Sequence, residues 1–128
     1  MKRGEASPRK QDVSRMKRGE VYRADLDPVQ GSEQGGIRPV LIVQNDVGNT
    51  YSPTTIVLAI TSQLNKARLP THVAVPARES GLSRDSVILA EQVRTIDKSR
   101  LRQRVARLEP RTMRRIEDAM AVSIGLQG

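Results

Sequence analysis

Apolar and polar residues alternate over the first patterned segment of the chain. From Gly19 onward two sets of residues alternate between the faces: Tyr22, Ala24 and Leu26 on one, and Val21, Arg23 and Asp25 on the other. A period of two predicts a β-strand, because successive side chains of a strand point to opposite faces. Asp27-Pro28 ends this strand. The glycine-rich, polar stretch 29–36 predicts a loop.

Four later segments are short runs of apolar and β-branched residues, bounded by turn-forming residues. Runs of this length and composition are typical of buried strands. The stretch from Asn45 to Pro53 separates two of them and predicts a loop, because it contains glycine, asparagine, serine and proline. The predicted strands are Pro39–Val43, Thr55–Ile60, His72–Val75 and Ser86–Ala90.

The end of the chain has a different period. Glu109-Pro110 offers proline for the first position of a helix, where its missing N–H costs no hydrogen bond. Apolar residues then recur at spacings of three and four, which predicts an amphipathic helix. They are Met113, Ile116, Met120 and Ile124. Many short strands and one closing helix predict a mainly β, α+β fold, a partly open barrel rather than βαβ units.

The first fifteen residues show no core-facing pattern. The sequence Met-Lys-Arg-Gly-Glu begins at Met1 and again at Met16, and only the second copy leads into a strand. We therefore predict a flexible basic tail over residues 1–15 and one domain over residues 16–128. The start of the chain has no long apolar run, which predicts neither a secretion signal nor a membrane span and favours the cytoplasm.

Basic charge is concentrated at the two ends of the sequence. The net charge is +8; residues 1–18 carry seven basic and two acidic groups, and residues 98–115 carry eight and one. Such clusters indicate an anionic partner, either nucleic acid or an acidic protein. A solvated charged surface is the alternative interpretation. The chain has no cysteine, so thiolate chemistry and disulfides are excluded.

One arginine stands where the glycine-rich loop enters a predicted strand. Pro39 biases Arg38 toward an extended backbone, and the preceding glycines leave its planar guanidinium uncovered. This arrangement suits a phosphate ligand. An ion pair of Arg38 with Glu33 or Glu91 is an equally simple interpretation. A second polar group, Thr61, ends the run of apolar residues before it and offers a hydroxyl donor.

Several ordered segments closely resemble the MazF/PemK toxin family. The resemblance begins near Met16 and continues to the end of the chain. It implies an SH3-like, CcdB-type barrel, a homodimer, cleavage of single-stranded RNA without metal or cofactor, and inhibition by an acidic antitoxin. The segments are Gly19–Tyr22, Asp25–Pro28, Gly31–Leu41, Gln44–Asp46, Ala59–Ser62, Leu69–Val73 and Asp85–Asp97.

The same resemblance implies catalytic roles for Arg38 and Thr61. Attack of a ribose 2′-hydroxyl on its own phosphate builds negative charge, which an arginine and a hydroxyl can stabilise. Arginine is almost always protonated and is therefore a poor general base. Polar and apolar residues near these two are predicted to contact RNA. They are Ser32, Glu33, Gln34, Gln63, Leu69, Pro70, His72, Ser86, Glu91 and Gln92.

Two other function classes are compatible with parts of the sequence. A metal-dependent nuclease could use Asp46, Asp85 and Glu91 as oxygen ligands, although they form no close acidic motif. A binding module without catalysis would need only the basic ends. Loss of Thr61 distinguishes this last class, because binding alone should tolerate it.

Overall fold

Six β-strands, three α-helices and one 3-10 helix, Lys98–Arg100, form the main elements of the described part of the chain. The computed structural model describes residues 15–27, 35–64 and 69–126. The strands are β1 (Glu20–Asp25), β2 (Ile37–Ile42), β3 (Thr54–Thr61), β4 (His72–Val75), β5 (Ser86–Asp97) and β6 (Leu101–Arg107). The helices are α1 (Asp46–Tyr51), α2 (Ala77–Ser80) and α3 (Pro110–Ser123).

The strands form one antiparallel sheet in the order β4-β5-β3-β2-β1-β6. Within the described ranges, β4 and β6 are the two edges, so the sheet is open. The predicted α+β class and partly open barrel are confirmed. The edges come close to each other through α2, because the Cβ position of Gly81, directly after α2, lies 2.9 Å from the Cβ of Ala106 on β6.

Both faces of the curved sheet are buried. A first core cluster joins the sheet to α3 and includes Val21, Leu41 and Ile116. A second core cluster on the opposite face includes Tyr22 and Val40. Val21 and Tyr22 are both almost fully buried, which explains why β1 alternates between two apolar faces. The core is aliphatic apart from Tyr22, as expected for a chain without phenylalanine or tryptophan.

The prediction of a loop over Asn45–Pro53 is wrong, because Asp46–Tyr51 forms α1. The Asn45 side chain accepts the N–H of Gly48, and asparagine is a preferred N-cap residue. Helix-capping chemistry therefore outweighed the turn-forming composition of this short segment. The start of this helix was indicated by Asn45, Asp46 and Gly48, but the turn-forming composition of the segment obscured that signal.

The sheet is also longer than predicted. β5 continues from Ala90 to Asp97, and its pairing with β3 shifts between Leu58 and Ala59, where β5 contains three additional residues. This bulge interrupts the alternating pattern and hides the second half of the strand. β6 was not predicted, because an edge strand with few apolar residues has a weak periodic signal.

Most arginines of the basic run 98–115 that lie near β1 have intramolecular partners. Arg104 pairs with Glu20 at 2.7 Å, and Arg102 pairs with Asp25 at 3.4 Å. Arg100 donates to the carbonyls of Asp25 and Asp27. Part of this charge therefore holds β6 against the end of β1. It is not all available to an external anion.

The C-terminal helix begins at Pro110, as predicted. Met113 and Ile116 are buried and Met120 packs against the first core cluster, but Ile124 is exposed because the helix ends at Ser123. No helix in the described ranges has the length and apolar character needed to cross a membrane. The proposed boundary between residues 15 and 16 stays a prediction, and residues 1–14 lie outside the described residues.

Candidate active site

Arg38 and Thr61 lie at the same end of neighbouring strands. β2 and β3 pair up to Val40 opposite Ala59; beyond that pair β2 has three more residues, as far as Ile37, and β3 has two, as far as Thr61. The same register carries Arg38 and Thr61 to facing positions on one face of the sheet. Because the pairing stops before them, the strands separate and a cleft opens between these two residues.

The local backbone orients the Arg38 side chain. Its Nε donates to the carbonyl oxygen of Gly35 at 2.9 Å, within the glycine pair that precedes β2. This bond uses the Nε–H of the guanidinium, and the two terminal amino groups have no partner among the described residues. Gly36 supports this turn with a φ of 77°, a conformation that glycine adopts without strain. Arg38 itself is exposed.

The hydroxyl of Thr61 is also held in place. Thr61 is buried at the end of β3, and its Oγ1 accepts the N–H of Gln63 at 3.1 Å. A hydroxyl that accepts from this side keeps its own proton for donation on another. Thr61 can therefore donate to an anion in the cleft. Glu91, one of the two alternative partners considered for Arg38, instead accepts from Thr71, and the other, Glu33, lies outside the described residues.

Eleven described residues line the cleft, which has a volume of about 470 Å³. Three of them are arginines, and within the described ranges none is a carboxylate. The cleft is therefore positively charged and rich in hydroxyl and amide donors. Its lining consists of Arg23, Arg38, Pro39, Ile60, Thr61, Ser62, Gln63, Leu82, Ser83, Arg84 and Ser86.

Two of the predicted RNA contacts line this cleft, and they differ in exposure. Gln63 is exposed and lines it, whereas Ser86 lines it but is buried, with its hydroxyl donating to the carbonyl of Arg84. Gln92 is exposed in the bulge of β5 and does not line the cleft. The remaining predicted loop contacts, Ser32, Glu33 and Gln34, lie outside the described residues.

A second group of predicted contacts forms a hydrogen-bonded network at the start of β4. The ring of His72 is 10% exposed; its Nδ1 accepts the N–H of Leu69, so its Nε2 donates to Glu91 at 3.2 Å. Thr71 donates to the other carboxylate oxygen at 2.7 Å. Burial alone raises the pKa of Glu91, but the bonds from Thr71 and His72 outweigh burial and hold this pKa below its usual range.

This network lies outside the cleft of Arg38 and Thr61. Pro70 and His72 line a separate cavity of about 220 Å³ against α3. Leu69 and Pro70 are exposed, whereas His72 is held mainly by protein partners. The structure thus separates the predicted RNA contacts into a cleft group and a network that fixes the entry to β4. Direct contact of His72 with RNA stays a prediction.

The carboxylates considered for a metal site lie in three different places. Asp46 accepts the backbone N–H of Arg18, Asp85 accepts that of Ala77, and Glu91 belongs to the β4 network. Among the described residues, no three histidine or acidic side chains are arranged to hold one ion. Within residues 15–27, 35–64 and 69–126, this geometry offers no set of ligands for the metal-dependent interpretation.

Sequence analysis did not single out Arg23 or Arg84. Arg23 lies in the middle of β1, where alternation alone describes it as an ordinary strand residue. Arg84 follows the turn after Gly81 and directly precedes Asp85 and β5, a strand entry like that of Arg38. This similarity between the two strand entries was the one feature of the sequence that could have indicated Arg84 as a site residue.

Comparison with known proteins gives consistent matches over most of the chain. Residues 17–124 match the family described as PemK-like, MazF-like toxin of type II toxin-antitoxin system. Endoribonuclease EndoA of Bacillus subtilis is 57% identical over 111 residues, covering 87% of this chain and 96% of that protein. Endoribonuclease MazF of Staphylococcus saprophyticus is 57% identical, covering 87% and 92%. A mycobacterial endoribonuclease solved with its cognate antitoxin superposes with a TM-score of 0.74 at 28% identity, covering 88% and 98%.

Proposed function

Because the chain belongs to the PemK-like, MazF-like toxins of type II toxin–antitoxin systems, we propose that its cleft cleaves single-stranded RNA at specific sequences, with Arg38 and Thr61 as catalytic residues. The proposal rests on one observation: the two strands that carry these residues separate where their side chains face each other. A strand of RNA with its bases unstacked can enter such an open cleft.

The reaction uses the 2′-hydroxyl of the RNA, the hydrogen-bond donors of the cleft, and water, which accepts the proton of the 2′-hydroxyl and supplies one to the leaving 5′-oxygen. The ribose 2′-oxygen attacks the adjacent phosphorus, loses its proton, and forms a 2′,3′-cyclic phosphate. The bond from phosphorus to the 5′-oxygen breaks, and that oxygen takes up a proton. Arg38 stabilises the negative charge on the non-bridging oxygens with its two terminal amino groups, and Thr61 donates a further hydrogen bond.

The toxin acts as a homodimer and is inhibited by an acidic antitoxin protein. Support comes from the related mycobacterial endoribonuclease, which has been solved with its cognate antitoxin. The excess of positive charge, +8 for the chain, speeds the encounter with both RNA and an acidic protein segment. We place the activity in the cytoplasm, where messenger RNA is the available substrate.

The products of cleavage test this mechanism. Purified protein is incubated with long RNA in excess chelator, and the 5′ ends of the fragments are sequenced with and without prior phosphorylation by a kinase. We expect cleavage to continue in chelator, because no step uses a metal. We also expect 5′-hydroxyl ends that can be ligated only after phosphorylation, all within one short sequence.

Two outcomes would contradict the mechanism. Cleavage that stops in chelator and leaves 5′-phosphate ends would indicate a metal-dependent nuclease. RNA binding without any cleavage would indicate a binding module. A Thr61→Val variant separates the last case, since it should bind RNA as well as the wild type while losing cleavage.

A further inference from the structure

Arg23 and Arg84 contribute positive charge to the cleft from elements other than those that carry Arg38 and Thr61. Arg23 comes from β1, and Arg84 comes from the turn before β5. Within the described ranges the cleft lining contains no carboxylate that could neutralise them. The charge in the cleft therefore exceeds what one transferring phosphate needs.

These two arginines differ from the arginines that stabilise the fold. Besides Arg38, five arginines of the described residues donate to carboxylates or to backbone carbonyl oxygens, whereas in the same ranges the guanidinium groups of Arg23 and Arg84 have no such partner. The arginines with partners are Arg18, Arg94, Arg100, Arg102 and Arg104.

The sheet register separates Arg23 from Arg38. Arg23 pairs with Pro39, and Ala24 pairs with Arg38. Neighbouring residues of a strand point to opposite faces, so Arg23 extends on the face of Pro39 while Arg38 extends on the other. Both line the cleft from opposite sides of the strand end. The two side chains thus start from different faces of the sheet, which favours contacts with different phosphates rather than with one.

We propose that Arg23 and Arg84 form a second phosphate subsite, which holds a backbone phosphate of the RNA other than the scissile one. This inference rests on the proposed ribonuclease function and extends it. The ligand class is a phosphodiester of single-stranded RNA. The subsite fixes the position of the strand in the cleft, so it contributes to binding and to the choice of the cleaved bond rather than to the chemical step.

Three variants that each replace an arginine with an uncharged glutamine test the subsite: Arg23→Gln, Arg84→Gln and the control Arg114→Gln. Arg114 is exposed on α3, does not line the cleft, and its substitution removes the same charge. We expect KM to rise about tenfold for each cleft variant, since a charge-assisted hydrogen bond is lost, with kcat unchanged. The slope of log KM against log salt should decrease by about 0.7 for each lost phosphate contact on a single strand.

A methylphosphonate scan identifies the phosphate. Each backbone position of a short substrate is replaced in turn by the uncharged group. At one position other than the scissile one, the replacement should raise the KM of the wild type about tenfold, because it removes the same charge-assisted bond. The same replacement should leave the KM of Arg23→Gln unchanged. The subsite is overturned if the cleft variants behave like Arg114→Gln, if kcat alone falls, or if no position shows this coupling.

Binding of an uncleavable RNA, with a 2′-deoxy sugar at the cut site, distinguishes this proposal from the function on which it rests. RNA binding that depends on Arg23 without cleavage of normal RNA would support the subsite and contradict the ribonuclease function. Cleavage that is unaffected by Arg23→Gln or Arg84→Gln would support the ribonuclease function and contradict the subsite.

Discussion

At the scale of single residues, backbone groups of the cleft orient the side chains that carry out the chemistry. The carbonyl of Gly35 orients Arg38, and the N–H of Gln63 orients Thr61, so both donors are held before RNA arrives. Donors that are already oriented lose little entropy when charge develops on the phosphate. The residue types, a planar cation and a hydroxyl, suit stabilisation of a phosphorane better than they suit proton abstraction.

Substitutions at these two residues should reduce kcat and leave the fold intact. We expect Arg38→Ala and Thr61→Val each to lower kcat by about 100-fold or more, because each removes one donor from the transferring phosphate. Thr61→Ser keeps the hydroxyl and should retain most of the activity. Cleavage kinetics are measured together with melting temperatures. Wild-type kcat in folded Arg38→Ala protein would contradict the catalytic assignment.

At the scale of elements, the cleft depends on how α2 packs against β6. Gly81 ends α2 with a φ of 76°, and an added Cβ would lie 2.9 Å from Ala106 and 3.0 Å from Val105. Only glycine fits both this backbone conformation and this contact. The turn that follows carries Leu82, Ser83 and Arg84 into the cleft, so one close contact between the sheet edges places its outer wall.

The substitution Gly81→Ala tests this contact, with Gly125→Ala as its control. Gly125 has the same φ of 76° but no atom within 4 Å of an added Cβ. We expect Gly125→Ala to lower the free energy of unfolding by about 1 kcal/mol, the cost of the left-handed backbone. Gly81→Ala should cost at least about 2 kcal/mol more, since it also displaces β6. Equal decreases in the free energy of unfolding of the two variants, measured in urea, would show that the contact with β6 is loose.

At the scale of the whole molecule, the folded unit includes Met16. Met16 is 2% exposed and belongs to the second core cluster, next to Tyr22. Lys17 donates its N–H to Glu20, which in turn pairs with Arg104 of β6. The chain is therefore tied to the sheet at this point, and a domain boundary between residues 15 and 16 stays a prediction.

Removal of residues 1–15 should leave stability and cut sites unchanged. Because the truncated chain keeps Met16, its free energy of unfolding should stay within about 0.5 kcal/mol of the full chain. Met16→Ala in the full chain should cost about 2–5 kcal/mol, because it opens a cavity in the core. Urea unfolding and mapping of RNA ends measure both. A truncated chain that unfolds or cuts elsewhere would place residues 1–15 within the domain.

The sequence by itself determined the features that depend on neighbouring residues. These are the period-two strands, the helix that begins at Pro110, and the glycine–arginine–proline strand entry that singled out Arg38. Each signal lies within a few residues, where local sterics and periodicity are sufficient. The β5 bulge and the edge strand β6 escaped sequence analysis, because strand pairing depends on distant partners.

Only the tertiary structure decided which charged residues serve the cleft. Sequence analysis treated the basic run 98–115 as one surface, but Arg102 and Arg104 are paired with acids on β1, whereas Arg23 and Arg84 line the cleft without acidic partners among the described residues. A long charged side chain reaches groups that are remote in sequence. Its partner, and hence its role, is therefore set by the packing of the sheet and not by the residues beside it.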